Sequence, residues 1–391
     1  MKHRLDIVLY LIIVISFLLL SHFNFEYYVT RNASNFSIYF IILLLVCSLF
    51  LIKFSHSLIR KGSLYRIICV FTVLVFITQI PCILESTMNA AIRNILHTIA
   101  VPIGFILGQT LNGELFCYKD DEKCNWSLLL ILPIFYVSYR YLSIVFVDPD
   151  SLFFVILLFP LVFSLRKDIL KIIVFILVGV VCAISAKRSI LIAYSIGLLL
   201  FIFQYSFFNR NRRFSLKSIV IFASLIIVLF WLVSSNQDVV EQIILRFQGI
   251  KDDNGSGRTD LYNVLLDSFF DSSIVNQLLG HGYRSSVSVL GGVPPHNDIL
   301  EILYDFGAIP LFVYIIILLR LLRLSVGYIK KQSLNNATIL LAVSVFNLIV
   351  LGALNNIFID TLFIFSCFLC IGVAINMVEF NSNYESTFLN H

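Results

Sequence analysis

"VPPHNDILEILYDFG" runs from Val293 to Gly307. Its two prolines, Pro294 and Pro295, end any helix before them, because the residue ahead of a proline is kept out of the helical region. Asn297 or Asp298 can then cap a new helix, and Asp298 with Glu301 makes a capping-box-like pair. An apolar run follows at once. His296 is therefore held at the mouth of a helix N-terminus, where free N–H groups and partial positive charge suit an anion such as a phosphate. The same letters also serve as a plain helix start, and a lone interfacial histidine is structural more often than not. Asp298, Glu301 and Asp305 share one face of the helix. Carboxylates below a membrane interface are costly and are usually functional or paired, here with Arg140 or Arg188.

The rest of the chain fixes the fold class. Of 391 residues, 59% are hydrophobic and 13% charged, against about 25% charged in soluble domains. Mean hydropathy is +0.94. The chain reads as an all-α polytopic membrane protein, so its length does not count soluble domains. The basic pI of about 8.7 implies no nucleic-acid partner, because basic residues in such a chain mostly set orientation. A helix needs about 20 apolar residues to cross a bilayer. Twelve stretches qualify: 5–22, 37–54, 66–84, 95–112, 127–147, 151–165, 169–185, 189–208, 217–235, 298–321, 336–354 and 357–378, the sixth and seventh short enough to be packed or tilted. No cleavable signal peptide is expected after Met-Lys-His-Arg.

With the N-terminus inside, the even-numbered connections and the N-terminus hold 19 of the 28 basic residues. The topology is N-in, C-in by the positive-inside rule. Residues 1–235 then form spans one to nine, 236–297 a large periplasmic loop, and 298–391 spans ten to twelve with a cytoplasmic tail. Of the eight cysteines, most lie in or beside apolar runs, and Cys367-x-x-Cys370 sits mid-span with no histidine near it, as packing residues do. No sequence repeat is visible, which weakens a transporter built on inverted repeats.

The long loop is the main polar region. "QDVVEQIILRFQGI" (Gln237–Ile250) puts Val240, Ile243, Ile244 and Phe247 on one helical face, as for a helix on the membrane surface. "KDDNGSG" is a linker. "RTDLYNVLLDSFF" starts a second helix that Thr259 or Asp260 can cap, with Leu261, Val264, Leu265 and Phe269 on one face. "LLGHGYRSS" follows, with two glycines that permit tight turns and close approach to a ligand, then Arg284. Lys187-Arg188, between spans seven and eight, puts two cations on the side that should be poor in them. Either the topology is wrong at this turn or the two cations bind something negative at the outer face, and the flanking basic clusters at 166–171 and 210–217 favour binding. Arg140, two-thirds through span five, points to the same outer half.

Together these residues resemble the O-antigen ligase/polymerase superfamily, whose polymerase branch is called Wzy. The resemblance is carried by Gly257-Arg258 with Tyr262, Gly280-His281-Gly282, His296-Asn297 with Gly307 in the following span, and Ser185-Ala186-Lys187-Arg188-Ser189 between two middle spans. It covers about a third of the chain by motif. Tyr262 stands where relatives commonly have Trp. The resemblance implies a metal-independent membrane glycosyltransferase of the bacterial inner membrane, with no cofactor. Its donor would be a glycan on undecaprenyl diphosphate. Its acceptor would be a sugar hydroxyl of another lipid-linked repeat unit (polymerase) or of lipid A–core (ligase). A chain-length regulator and membrane lipids are the implied partners. His296 would act as general base or acceptor-positioning residue and Arg188 and Arg258 as diphosphate binders, with Arg284, Lys187, Arg140 and Asn297 as further substrate-binding residues. Fixed arginines stabilise the charge that builds on a diphosphate leaving group. A neutral histidine accepts the proton of a sugar hydroxyl. No Asp-x-Asp stands beside these residues, and Asp252-Asp253 lies in the linker. The rival from another class is a lipid-linked oligosaccharide flippase or other transporter, which would spread its charges through both leaflets.

The orientation is testable by labelling. Cysteines placed at 188 and 256 should react with an impermeant thiol reagent added outside, and one at 212 should not. External labelling at 212 would reverse the topology.

Overall fold

A computed structural model describes residues 11–16, 18–22, 25, 63–85, 88–110, 127–143, 149–165, 168–185, 187–204, 257–332, 334–358 and 360–388. The apolar stretches 37–54 and 217–235 and the segment Gln237–Ile250 lie outside the described residues. The helices are α1 (Ser63–Glu85), α2 (Met88–Thr110), α3 (Ser127–Ser143), α4 (Phe153–Leu158), α5 (Asp168–Ser185), α6 (Arg188–Phe203), α7 (Arg258–Phe270), α8 (Ile274–Leu279), α9 (Ser285–Val289), α10 (Asp298–Phe306), α11 (Ala308–Gln332), α12 (Asn336–Leu354) and α13 (Thr361–Phe388), with short 3-10 turns on either side of α4. Every described element is helical. A helix satisfies its own backbone, which an apolar solvent demands. Six of the described helices are long and apolar enough to cross a membrane: α1, α2, α5, α11, α12 and α13.

Two expected stretches differ from simple spans. The sixth, 151–165, is α4 between its 3-10 turns, and its side chains from Leu152 to Phe163 are buried. It is a core element packed inside the bundle. The tenth, 298–321, is broken. Gly307 takes φ +91 and separates α10 from α11, so the span itself begins at Ala308. The piece before the break, α10, carries Asp298, Glu301 and Asp305, all at most 1% exposed. Such a helix belongs against protein, not lipid.

A close backbone approach joins α2 and α13. A Cβ on Gly108 would lie 2.3 Å from the carbonyl oxygen of Leu369, and one on Gly372 would lie 2.3 Å from that of Phe105. Small residues let apolar helices touch along their backbones. α13 is buried almost throughout from Leu362 to Val378. Cys367 and Cys370 are free, buried thiols in this packing.

Polar side chains mark both ends of the bundle. At one end Lys171 Nζ donates to Asp168 Oδ1 at 3.3 Å and to Asn336 Oδ1 at 3.1 Å, and Gln204 Nε2 donates to the same Asn336 oxygen at 3.0 Å. These residues join the start of α5, the end of α6 and the start of α12. The α5–α6 turn with Lys187 and the α12–α13 connection therefore lie at the opposite end. That opposite end is the expected outer face.

Gly108→Leu should force α2 off α13, with little or no monodisperse protein by fluorescence-detected size exclusion. Gly327→Leu, at a site with nothing within 4 Å, should elute as the parent. Equal profiles would mean the helices tolerate separation.

Candidate functional site at the outer end of the bundle

α7 opens at Arg258, with Gly257 in the cap position at φ +70 and no side-chain cap. Thr259 and Asp260, expected to cap, lie inside the first turn. Leu265 and Phe269 of α7 bury against Leu290 and Tyr304, flanked by Leu261, Leu300 and Leu303. Val264, expected on that face, is 49% exposed. This small second core fastens α7 to α10. Ser268 Oγ and the Tyr304 hydroxyl add a hydrogen bond of 3.0 Å.

The Gly280-His281-Gly282 turn then docks on the C-terminal end of α10. His281 N–H donates to the Tyr304 carbonyl at 3.0 Å, and Gly282 N–H to the Asp305 carbonyl at 2.8 Å. The His281 ring stacks on Tyr304 with centroids 4.2 Å apart. Asp305 completes the clasp: its two carboxylate oxygens accept the backbone N–H groups of Arg284 and Ser286, each at 2.7 Å. The close approach that the glycines permit is therefore to α10. A Cβ on Gly280 would sit 2.3 Å from the Asp305 carbonyl oxygen. Tyr283 N–H donates to Gln79 Oε1 at 2.9 Å, which ties the turn to α1 as well.

His296 sits just before α10 with φ +55, a left-handed conformation uncommon for a non-glycine residue. Asn297 is the cap: its Oδ1 accepts from Ile299 N at 2.9 Å and Leu300 N at 3.2 Å. Asp298 and Glu301 do not form the capping box. Asp298 Oδ1 instead accepts the N–H of Phe358 at 2.9 Å, pinning the α12–α13 connection to α10. Both Glu301 oxygens are buried without a hydrogen-bond partner among the described residues. The sequence pattern placed the helix start correctly. It did not show that tertiary contacts would claim the two carboxylates.

Electrostatics divides these residues into two groups. In the first, burial holds the His296 imidazole down to about 4, and the charges of Arg258 and Lys187 push the same way. The ring is therefore neutral near pH 7. Arg258 arrives on α7 and Lys187 from the α5–α6 turn, where its Nζ lies 4.3 Å from the centroid of the Phe153 ring. In the second group, burial raises the carboxyl of Asp305 to about 7, that of Asp360 to about 6, and that of Glu301 well above its usual range. The Arg284 charge opposes each rise. The cation over the acids is thus Arg284, where Arg140 or Arg188 was expected. Arg284 keeps an exposed side chain while its backbone is clasped. Arg188 opens α6, half-buried beside Lys187. The Arg140 guanidinium lies over Phe25, 5.8 Å from its ring centroid. One polar neighbour of His296 went unnoticed in the sequence: Asn356, whose Nδ2 is 3.4 Å from His296 Nδ1. The only hint was the Asn-Asn pair interrupting apolar residues between two spans.

Asp305→Asn replaces one acceptor with a donor that faces an N–H. An unsatisfied buried N–H costs about 1–3 kcal/mol. The loop peptide around Arg284 and Ser286 should exchange its amide hydrogens faster, with exchange in α12 unchanged. Unaltered loop exchange would mean the clasp does not hold the loop.

No curated protein matches the chain. Residues 173–315 match the family model described as O-antigen ligase, a segment that carries Lys187, Arg188, Arg258, Arg284, His296 and Asn297. Over that segment the resemblance to the O-antigen ligase/polymerase superfamily is borne out.

Proposed function

We propose that this chain is a polysaccharide polymerase of the O-antigen or capsule type. It transfers a growing glycan from undecaprenyl diphosphate to a sugar hydroxyl of a second lipid-linked repeat unit, at the periplasmic face of the inner membrane. The observation that supports this most is that the charges of Arg258, from the loop, and Lys187, from the α5–α6 turn, both act on a neutral histidine. Two cations suit a diphosphate, and a neutral imidazole suits a hydroxyl proton.

The chemistry is a single displacement. The acceptor oxygen forms a bond to the anomeric carbon of the donor. The bond from that carbon to the diphosphate oxygen breaks, and its electron pair leaves with the diphosphate. The hydroxyl proton goes to His296. Arg258 and Lys187 are in place before the leaving charge develops, with Arg188 and Arg284 at the rim, which avoids the cost of reorganising solvent. Arg140 and Asn297 support the site, Asn297 by fixing the helix that follows His296. A base held down to about 4 is weak for work near neutrality. Donor binding corrects this, because the diphosphate offsets the two cations and lets the imidazole rise. Membrane lipids surround the spans, and a chain-length regulator is the proposed protein partner.

A ligase reading is favoured by the description of the matched family. It uses the same donor and the same leaving group, with lipid A–core as acceptor.

His296→Ala should lose chain extension by a factor of about 10² to 10⁴, the usual contribution of a general base, while the protein still accumulates in the membrane. In the parent enzyme, the acid limb of kcat/KM should lie near the free-enzyme value of about 4. The acid limb of kcat should lie higher, because kcat reports the donor complex. Full activity in His296→Ala, or a kcat limb at or below that of kcat/KM, would contradict the proton role.

A further inference from the structure

His296 and Asn356 are 60 residues apart in the chain, yet Asn356 Nδ2 is 3.4 Å from His296 Nδ1. Both partners have fixed backbones. His296 lies between buried Pro295 and the cap residue Asn297. Asn356 lies in the connection that Phe358 N–H anchors to Asp298 Oδ1 at 2.9 Å. The far end of that connection is tied by Asp360 Oδ1, which accepts from Leu362 N at 2.9 Å and Phe363 N at 3.2 Å. A histidine at φ +55 persists only where its surroundings over-determine it.

We propose that Asn356 is the positioning residue of His296: its carboxamide holds the Nδ1 edge of the ring and leaves Nε2 to meet the acceptor hydroxyl. This rests on the reading of His296 as proton acceptor. A neutral imidazole carries one ring proton, and the hydrogen bond at one nitrogen decides which one carries it. Asn356 Oδ1 is buried without a hydrogen-bond partner among the described residues. A half turn of the amide puts that oxygen on Nδ1, where it accepts the ring N–H and leaves the lone pair on Nε2. The choice of an amide over a carboxylate also follows from the site. A carboxylate there would draw Arg258 and Lys187 to itself and repel a diphosphate, whereas an amide orients the ring without adding charge.

The test measures kcat, KM and their pH dependence for the purified full-length protein. The substrate is the lipid-linked units that accumulate in cells lacking this gene. Asn356→Ala should lower kcat by about 10-fold to 100-fold, the cost of a misplaced catalytic group, with KM within about twofold. Asn356→Asp sets a carboxylate beside Nδ1 and favours the imidazolium. It should therefore move the acid limb of kcat/KM to higher pH, which an asparagine out of contact with the ring would not do. Should Asn356→Ala fail to accumulate, the Asp variant decides by its limb. Wild-type kcat in Asn356→Ala, or an unmoved limb in Asn356→Asp, overturns the positioning role while an inactive His296→Ala leaves the base reading standing. An active His296→Ala overturns both.

Discussion

The carboxylate of Asp305 receives the backbone N–H groups of Arg284 and Ser286, and the arrangement of the outer end depends on that clasp. Without it the Gly280-His281-Gly282 turn has backbone pairings, the 3.1 Å contact of His281 Nδ1 with the Tyr304 carbonyl and one stacked ring to hold it on α10. The turn lies between α7, which brings Arg258, and the segment that ends at His296. Fixing it on α10 sets both ends of the loop relative to one short helix. That helix is tied in turn to the α12–α13 connection through Asp298. Three carboxylates on nine residues, which look extravagant for an apolar helix, thus divide into a loop clasp, a connection clasp and the buried Glu301.

The division of charge follows from the same helix. Arg258 and Lys187 act on His296 at its N-terminal end, while Arg284 offsets Asp305, Glu301 and Asp360. Burial, helped by the cations, keeps the histidine neutral, and the cations leave room for an anion. Acids at the histidine would instead protonate it and compete for the same cations. The layout therefore suits a site that takes up negative charge and releases a proton to a base, as glycosyl transfer from a diphosphate requires.

Parts of this were legible in the sequence because they break a local rule. Lys187 and Arg188 stood out as cations on the side that the charge distribution makes poor in them. Pro294-Pro295-His296-Asn297 marked a helix start, and Asn297 does cap it. The break at Gly307 was not legible, since one glycine in an apolar run is tolerated in a helix; only its packing against the turn that precedes α10 requires φ +91. The roles of Asp298 and Asp305 were hidden for the same reason. Each bonds to backbone N–H groups in a distant segment, and no spacing rule encodes such a pairing. Asn356 is the extreme case, a residue from another connection that becomes a neighbour of His296 only through the fold.

The proposed reaction joins one lipid-linked glycan to another at this outer face. The direct measurement is reconstitution of the purified protein in liposomes with lipid-linked repeat units as the only glycan substrate, following polymer length and free undecaprenyl diphosphate together. A polymerase gives lengthening chains with one undecaprenyl diphosphate released per linkage formed. Release of undecaprenyl diphosphate only when lipid A–core is added, with no chain longer than the starting unit, would contradict it.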